Sequence, residues 1–445
     1  MKSFHLVSLG CAKNLVDSEL MLGGLFENGW QMVDDPDTAN VIIINTCGFI
    51  QPAVEEAIEE ILSMVEIKKS DSQKKLVVSG CMVQRYKDAL VEELPEVDLF
   101  IGTEGAPVLA VILEDLLNSN TEKQLLLPDR MIMDASMPRS ISTPFYRSWL
   151  KITEGCDNHC SYCMIPSIRG QLRSRGIEDL ISEAKLLEQN GVKELCLIAQ
   201  DLTAYGDDLD EQSNLEELLN GLLSETTIPW LRLLYLYPTG INDKLINLIK
   251  ENSRIVPYLD IPFQHVSDHV LKMMKRRYGK KDIYKVVQKL RDAIPDIAIR
   301  TTFLLGFPGE TEEDIKELEE CIKELQFDHL GVFAYTNEEG SVSENFDDQL
   351  SEEVKQERVN HVLSLQSSIS AVRMKQYIGK TVEVIVEGTS KETDLLLEGR
   401  TQYQAPEIDG CVYINEGEVS LGDIVEVEIT EAQIYDLVGR VAEKG

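Results

Sequence analysis

The chain has 445 residues, 43% hydrophobic and 27% charged, with a formal net charge of −34 at pH 7; that length calls for two or three domains. No apolar run approaches the roughly eighteen residues of a membrane span, and Met1-Lys-Ser-Phe-His-Leu-Val-Ser8 is too short and polar for a signal peptide, so a cytoplasmic protein without membrane contact is expected. So large an acidic excess repels phosphate backbones and attracts basic partners, or simply keeps the protein soluble.

The first third alternates short apolar runs with helical patterns. Phe4–Leu9, Val41–Asn45 and Leu76–Ser79 read as strands, and Val54–Leu62 has the three-and-four spacing of a helix, with Pro52 acceptable in its first turn. The alternation predicts a parallel α/β domain. Each strand runs into a cysteine: Leu9-Gly10-Cys11, Asn45-Thr46-Cys47 and Ser79-Gly80-Cys81. Ligands of open α/β sheets gather at the carboxyl ends of strands, so these three thiols are expected to converge. Three converging thiolates can hold three irons of a 4Fe–4S cube and leave one iron open. Any one of them alone would read as a structural cysteine.

Residues 121–145, with Ser136-Met-Pro-Arg-Ser-Ile-Ser-Thr-Pro144, read as a linker. Beyond it stands Glu154-Gly-Cys-Asp-Asn-His-Cys-Ser-Tyr-Cys163, a C-x3-C-x2-C motif formed by Cys156, Cys160 and Cys163. Zinc sites close to four ligands from paired Cys or His, and His159 is the only histidine nearby, so an open-iron cluster suits the motif better than a zinc knuckle. Nine cysteines so placed favour metal binding in a reducing compartment over disulfides.

Six strand candidates follow, alternating with helices: Trp149–Thr153, Glu194–Ala199, Leu231–Tyr237, Tyr258–Ile261, Arg300–Leu305 and Gly331–Tyr335. Six β-α units predict an open partial (β/α)6 barrel, with the cysteine loop delivered to its top edge. A helical pattern runs from Ser351 to about Tyr377. From Gly379 the pattern turns to strands, among them Thr381–Val386, Cys411–Ile414 and Ile424–Ile429, which predict a small antiparallel β-barrel of about five strands. Residues 376–445 carry five Lys and Arg against fifteen Asp and Glu, a net of −10.

The C-x3-C-x2-C loop resembles that of the radical S-adenosylmethionine (SAM) superfamily. With the N-terminal three-cysteine domain and a TRAM-like barrel at the end, essentially the whole chain resembles the methylthiotransferase family. The fold class implied is α/β, divided into an N-terminal methylthiotransferase domain (1–140), a radical SAM partial barrel (141–375) and an acidic TRAM-like barrel (376–445). The resemblance implies two 4Fe–4S clusters. One, on Cys156, Cys160 and Cys163, binds SAM; the auxiliary one, on Cys11, Cys47 and Cys81, supplies sulfur. SAM serves as radical source and methyl donor, and an unactivated C–H becomes C–S–CH3. No catalytic residue beyond the cluster ligands is expected.

Leu9-Gly-Cys-Ala-Lys-Asn-Leu-Val-Asp-Ser-Glu19, Glu154 to Pro166, and Pro262-Phe-Gln-His-Val-Ser-Asp268 are similar to one branch of that family. That branch acts on the β-carbon of an aspartate in ribosomal protein S-twelve; the tRNA-modifying branch carries Cys-Gln-Met-Asn at the first cysteine, and a third branch Cys-Lys-Val-Asn. Charge supports the same branch, because phosphate contacts from Lys and Arg dominate RNA affinity and a barrel at −10 suits a basic protein instead. A tRNA adenosine is the alternative substrate, and a non-catalytic iron–sulfur protein a second alternative. Nucleic acid is not expected as direct substrate, a monomer is expected, and the sulfur and electron donors stay unidentified.

For SAM itself the resemblance points to Tyr162, Gln200, Asp201, Arg300, Gly306 and Gly309. Gln200-Asp201 would meet the amino group or merely form a strand-end turn. Gly306 and Gly309 would allow approach to the adenosine, while Glu310-Thr311 caps the next helix. Arg300 would reach the SAM carboxylate or form a buried ion pair. His265 reads as a hydrogen-bonded wall residue, Asn14 and Asn45 as loop-fixing, and Cys196, Cys321 and Cys411 as core residues. Asn337-Glu-Glu-Gly-Ser341 approximates a further family element.

Overall fold

The computed structural model describes residues 2–71, 73–118, 124–209, 213–390, 393 and 395–442. Its first strands are β1 (Ser3–Ser8), β2 (Gln31–Met32), β3 (Val41–Thr46), β4 (Lys75–Gly80), β5 (Leu99–Ile101) and β6 (Gln124–Leu126). Val41-Ile-Ile-Ile44 is stiff at χ1 and apolar on both faces, which suits a strand covered on both sides, and every residue of β3 is buried. The six strands form a parallel sheet ordered β2-β1-β3-β4-β5-β6. β1, β3 and β4 stand where expected. β6 lies inside the expected linker, whose residues 121–123 fall outside the described residues; 127–146 has no helix or strand.

Helices α1 (Ala12–Glu27), α2 (Gln51–Ser70) and α3 (Cys81–Tyr86) follow β1, β3 and β4. Pro52 sits in the first turn of α2, where its missing N–H costs nothing.

The central part adds β7 (Arg147–Lys151), β8 (Thr153–Glu154), β9 (Arg173–Ser174), β10 (Glu194–Ile198), β11 (Trp230–Leu233), β12 (Ile255–Asp260), β13 (Ala298–Leu305) and β14 (His329–Ala334). β7 and β10 to β14 form an open parallel sheet ordered β14-β13-β12-β11-β10-β7, the expected partial barrel. The short antiparallel pair β8–β9 joins the two ends of the cysteine loop. On the concave side of the sheet, Trp149, Cys196, Ile198, Leu234 and Tyr258 share one core with Val16, Leu20, Met21 and Leu25 of α1 and with Ile385 and Ala405 of the last domain. The three parts are thus welded by apolar burial.

The helix Glu352–Lys375 leads to β15 (Thr381–Thr389), β16 (Leu397–Thr401), β17 (Val412–Glu416), β18 (Ile424–Ala432) and β19 (Leu437–Val441), a closed barrel ordered β15-β16-β17-β19-β18. Four pairings are antiparallel, as expected; β17 and β19 run parallel.

The barrel docks toward the amino ends of the central strands. Arg400 and Arg232 clasp the buried Glu194 at 2.5 and 2.6 Å, Arg147 meets Glu407 at 2.8 Å, and the Tyr258 hydroxyl donates to Asp409 at 2.7 Å. The cysteine loop lies at the opposite, carboxyl ends, a strand length of roughly 20 Å away. Part of the barrel's acidic charge is therefore neutralised inside the protein.

Candidate functional site: two cysteine triads at facing strand ends

Ser8 pairs with Asn45, Asn45 with Ser79 and Thr46 with Gly80, so β1, β3 and β4 end level and release Cys11, Cys47 and Cys81 from one edge. Two glycines make the convergence possible. Gly10 has φ +94°, and a Cβ there would lie 2.7 Å from Cys47 Cβ; Gly80 has φ +98°, and a Cβ would lie 2.4 Å from Asn45 Oδ1. Only glycine combines that backbone with that closeness. Asn14 Nδ2 donates to Leu9 O at 2.6 Å, and Asn45 Nδ2 to Asn14 O at 2.9 Å and Ser18 Oγ at 2.8 Å, which holds the first two loops together.

The charges around this triad are arranged for anions. Cys11 is the N-cap residue of α1 and is exposed. Its crowded surroundings raise its pKa, but Lys13, Arg169 and the backbone N–H groups of Asn14 and Lys13 outweigh them, so the thiol falls below its ordinary value. Cys81 is buried, and burial pushes it up to about 12 despite Arg169. Arg169 Nη2 lies 3.3 Å from Cys81 Sγ.

The second triad sits on the loop that β8 and β9 close. Cys156 N donates to Gly170 O at 3.0 Å, and Ser161 is tied to Met273 O, Met274 O and Ser343 N. Cys163 is pushed up to about 12 by burial. Arg276 Nη1 lies 3.5 Å from Cys160 Sγ while its plane covers the Tyr237 and Tyr278 rings. Each triad therefore has one guanidinium donor at a sulfur.

Arg169 also joins the triads. Its Nη1 lies 3.0 Å from both Glu154 oxygens, and its Nη2 lies 2.8 Å from Asp17 of α1; Lys151 pairs with the same two carboxylates. Burial would raise the Glu154 carboxyl, but Arg169 and Lys151 hold it well below the ordinary carboxylate range. A second tie uses the element after β14. Glu338 accepts from Arg85 of α3 at 2.9 Å and from Gln51 N at 2.8 Å, and Arg85 also donates to Gly48 O at 2.9 Å. Sequence reasoning missed Arg85, Arg169 and Arg276, because their partners lie far along the chain; only Glu338 fell inside a noted motif.

Of the expected SAM residues, the structure gathers Tyr162 with the Gly306–Gly309 loop: the Tyr162 and Phe307 rings meet edge-on, centroids 6.5 Å apart. Gly306 N donates to Glu310, which Arg358 grips at 2.7 Å. Thr311 caps the following helix through a capping box with Asp314. Asp201 accepts from Asn158 Nδ2, inside the cysteine loop, at 2.7 Å and from Thr203 N at 3.1 Å, so it is at once a cap and a brace for that loop. Gln200, half-buried, precedes it. A cleft of about 200 Å³ beside Cys156 is lined by Asp157, Asp201, Asp207, Tyr237 and Arg277 among others.

Arg300 stands apart from this group. It pairs with Asp260 at 3.0 Å and reaches Asp409 of the barrel at 3.6 Å, the ion pair of its two readings. His265 is a wall residue whose Nδ1 accepts from Ser267 N at 3.0 Å. Cys196 and Cys321 are fully buried as expected; Cys411 is only half-buried.

Three family models match the chain in order: Uncharacterized protein family UPF0004 over residues 3–102, the Radical SAM superfamily over 150–322 and the TRAM domain over 378–442. The ribosomal protein uS12 methylthiotransferase RimO of Desulfotalea psychrophila is 57% identical over 438 residues, covering 98% of this chain and 99% of the relative. The chain belongs to the RimO family of radical SAM methylthiotransferases. RimO of Pelobacter propionicus is 48% identical across 99% of this chain and 98% of its own, and RimO of Geobacter sulfurreducens 46% identical across 98% of each. Among solved structures, the radical SAM methyltransferase TsrM of Kitasatospora setae shares the fold at a TM-score of 0.57 and 16% identity, over 75% of this chain and 72% of that one.

RimO-type enzymes work with SAM and two 4Fe–4S clusters, and the residues present fit both. The first triad offers three free thiols on one sheet edge and the second three on one loop, each with an arginine donor for the anionic charge that thiolate-bound clusters carry. Among the described residues no three His, Cys, Asp or Glu side chains are close enough to share one ion. A cube has no need of that, because each thiolate meets its own iron.

Proposed function

We propose that this protein inserts a methylthio group at the β-carbon of an aspartate in ribosomal protein uS12. The observation that carries the proposal is full-length similarity to RimO enzymes combined with two cysteine triads tied to one another through Arg169. Cys156, Cys160 and Cys163 are assigned to the SAM cluster, and Cys11, Cys47 and Cys81 to the auxiliary cluster. When bound, these groups and SAM supply the electron, the hydrogen-abstracting radical, and the sulfur and methyl that are transferred.

The chain's own residues do the positioning. Arg169 and Arg276 donate to ligand sulfurs. Asp201 and the β8–β9 clamp hold the loop that presents Cys156 to Cys163. Tyr162, Gln200, Asp201, Gly306 and Gly309 are proposed to line the SAM site, and the apolar ring group Tyr162, Phe307 and Tyr335 keeps water from it. Arg300, occupied by two carboxylates, is better assigned to docking the barrel.

The acidic surface is proposed to attract the basic uS12 over a distance. Because the barrel faces the amino ends of the strands, it meets a part of the substrate remote from the reacting carbon. Division of the chain near residues 140 and 376, action in the cytoplasm, and a monomeric state accompany this reading; no helix among the described residues is long and apolar enough to cross a membrane. The decisive test offers purified uS12 and tRNA side by side to the reconstituted enzyme.

A further inference from the structure

Among the described residues four lysines are buried: Lys13, Lys74, Lys151 and Lys355. Three have close oxygen partners. Lys74 Nζ donates to the carbonyls of Pro36, Asp37 and Ala39, Lys151 pairs with Asp17 and Glu154, and Lys355 pairs with Glu352. Lys13 does not. It is 8% exposed, its one hydrogen bond is long (3.4 Å, to Ala199 O), and among the described residues no carboxylate forms an ion pair with it. Its ammonium lies 3.6 Å from the centroid of the Tyr235 ring. A cation–π contact of that kind returns only part of the cost of burying an ammonium, and two of its three N–H donors are left over.

The location of this charge is informative. Lys13 stands two residues after Cys11, yet it reaches across the domain seam to the carboxyl ends of β10 and β11, where Ala199 and Tyr235 lie. Tyr235 is held at φ +63°, a strained backbone for an aromatic residue, and its ring lies beneath the ammonium. The seam between the triads thus holds a buried cation that no carboxylate among the described residues neutralises.

We infer that Lys13, backed by Tyr235, is the specificity-determining residue that receives the side-chain carboxylate of the substrate aspartate. The inference rests on the proposed function and adds the group that reads the acid. Sulfur from the side of Cys11 must join the β-carbon, and the carboxylate carbon is bonded directly to that carbon. The Lys13 ammonium, on the loop side of Cys11, is placed to take that carboxylate. The same ion pair turns the target side chain and discriminates against the neutral amide, whose substitution would leave the ammonium unpaired.

Reconstituted wild-type, Lys13→Gln and Lys13→Arg enzymes are compared on uS12 and on uS12 carrying asparagine at the target position. Methylthio product and 5′-deoxyadenosine are followed by mass spectrometry, SAM affinity by titration, and both clusters by iron content and EPR. Wild type should prefer aspartate to asparagine strongly. Lys13→Gln should keep its iron and its SAM affinity, lose about thirtyfold or more in kcat/KM on the aspartate substrate, and prefer neither substrate. Lys13→Arg should recover part of the preference. The substrate variant alone perturbs nothing in the enzyme, so the discrimination is readable even if Lys13→Gln folds poorly. A wild type indifferent to asparagine, an unchanged Lys13→Gln, or a loss explained wholly by missing iron or weakened SAM binding overturns the assignment. If wild type modifies uS12 while Lys13→Gln is unchanged, only the lysine role fails. If wild type modifies tRNA instead, the proposed function fails with it.

Discussion

Arg169 places one guanidinium between the two cysteine triads: Nη2 lies 3.3 Å from Cys81 Sγ, and Nη1 lies 3.0 Å from each oxygen of Glu154, two residues ahead of Cys156. The group is buried, so its removal leaves Glu154 and Asp17 with less compensation in a low-dielectric seam. Arg169→Leu is expected to cost about 3–5 kcal/mol, and Arg169→Lys less, because a lysine keeps the charge but not the fork. Denaturant unfolding of the three proteins checks the order. A leucine variant as stable as wild type contradicts the role given to this residue.

Acid should loosen the barrel through Glu194. Burial alone would raise this carboxyl, but Arg400 and Arg232 outweigh it and hold its pKa at about 2. An unfolded glutamate titrates near 4.3, so the folded state binds its proton less readily. The resulting stabilisation is fully present above the unfolded value and lost as pH falls toward the folded one, about 3 kcal/mol in all. Thermal melts from pH 7 to pH 2 should show wild type exceeding Glu194→Gln by a steady margin above pH 5. That margin should shrink below pH 4.5. A margin independent of pH would show that the carboxylate is not what binds the two domains.

Much of the site was legible because it follows from short-range geometry. Gly10-Cys11 and Gly80-Cys81 at the ends of short strand-like runs announce strand termini that must turn sharply, and the observed register makes those termini level. The C-x3-C-x2-C loop is equally local. The arginines were not legible, since Arg169 finds its partners 15 residues back at Glu154 and 152 residues back at Asp17. Nor was the position of the barrel. Its acidic composition is evident, but composition does not say that Glu387, Glu407 and Asp409 face Arg147, Arg400 and Arg300. β2, β5 and β6 have two or three residues each, too few for a period to register. The parallel pairing of β17 with β19 escaped because alternation along a strand is silent about its neighbours.

The element around Glu338 should act as a latch. Its carboxylate holds the Gln51 amide at 2.8 Å and Arg85 at 2.9 Å, next to the loop that carries Cys47. In Glu338→Ala, hydrogen exchange at residues 48–51 should quicken at least tenfold while the β3 amides keep their protection. Unchanged exchange at Gln51 would remove the latch.

Iron content separates the ligand cysteines from the rest. Alanine at Cys11, Cys47 or Cys81 should lower the reconstituted iron from about eight per chain to about four and spare the SAM cluster; alanine at Cys156, Cys160 or Cys163 should do the reverse. Cys196→Ala should keep the full complement, because Cys196 is wholly buried in the shared core. Full iron in any of the six ligand variants refutes that ligand.

The central claim concerns the substrate, and one anaerobic experiment addresses it. The reconstituted enzyme, with SAM, sulfide and a reductant, receives purified uS12 and tRNA in the same vessel, and both are analysed by mass spectrometry. A methylthio group on a single uS12 aspartate, with tRNA unchanged, is the predicted result. Methylthiolated tRNA beside untouched uS12 would contradict it, and would show that a chain of net charge −34 still engages a polyanion.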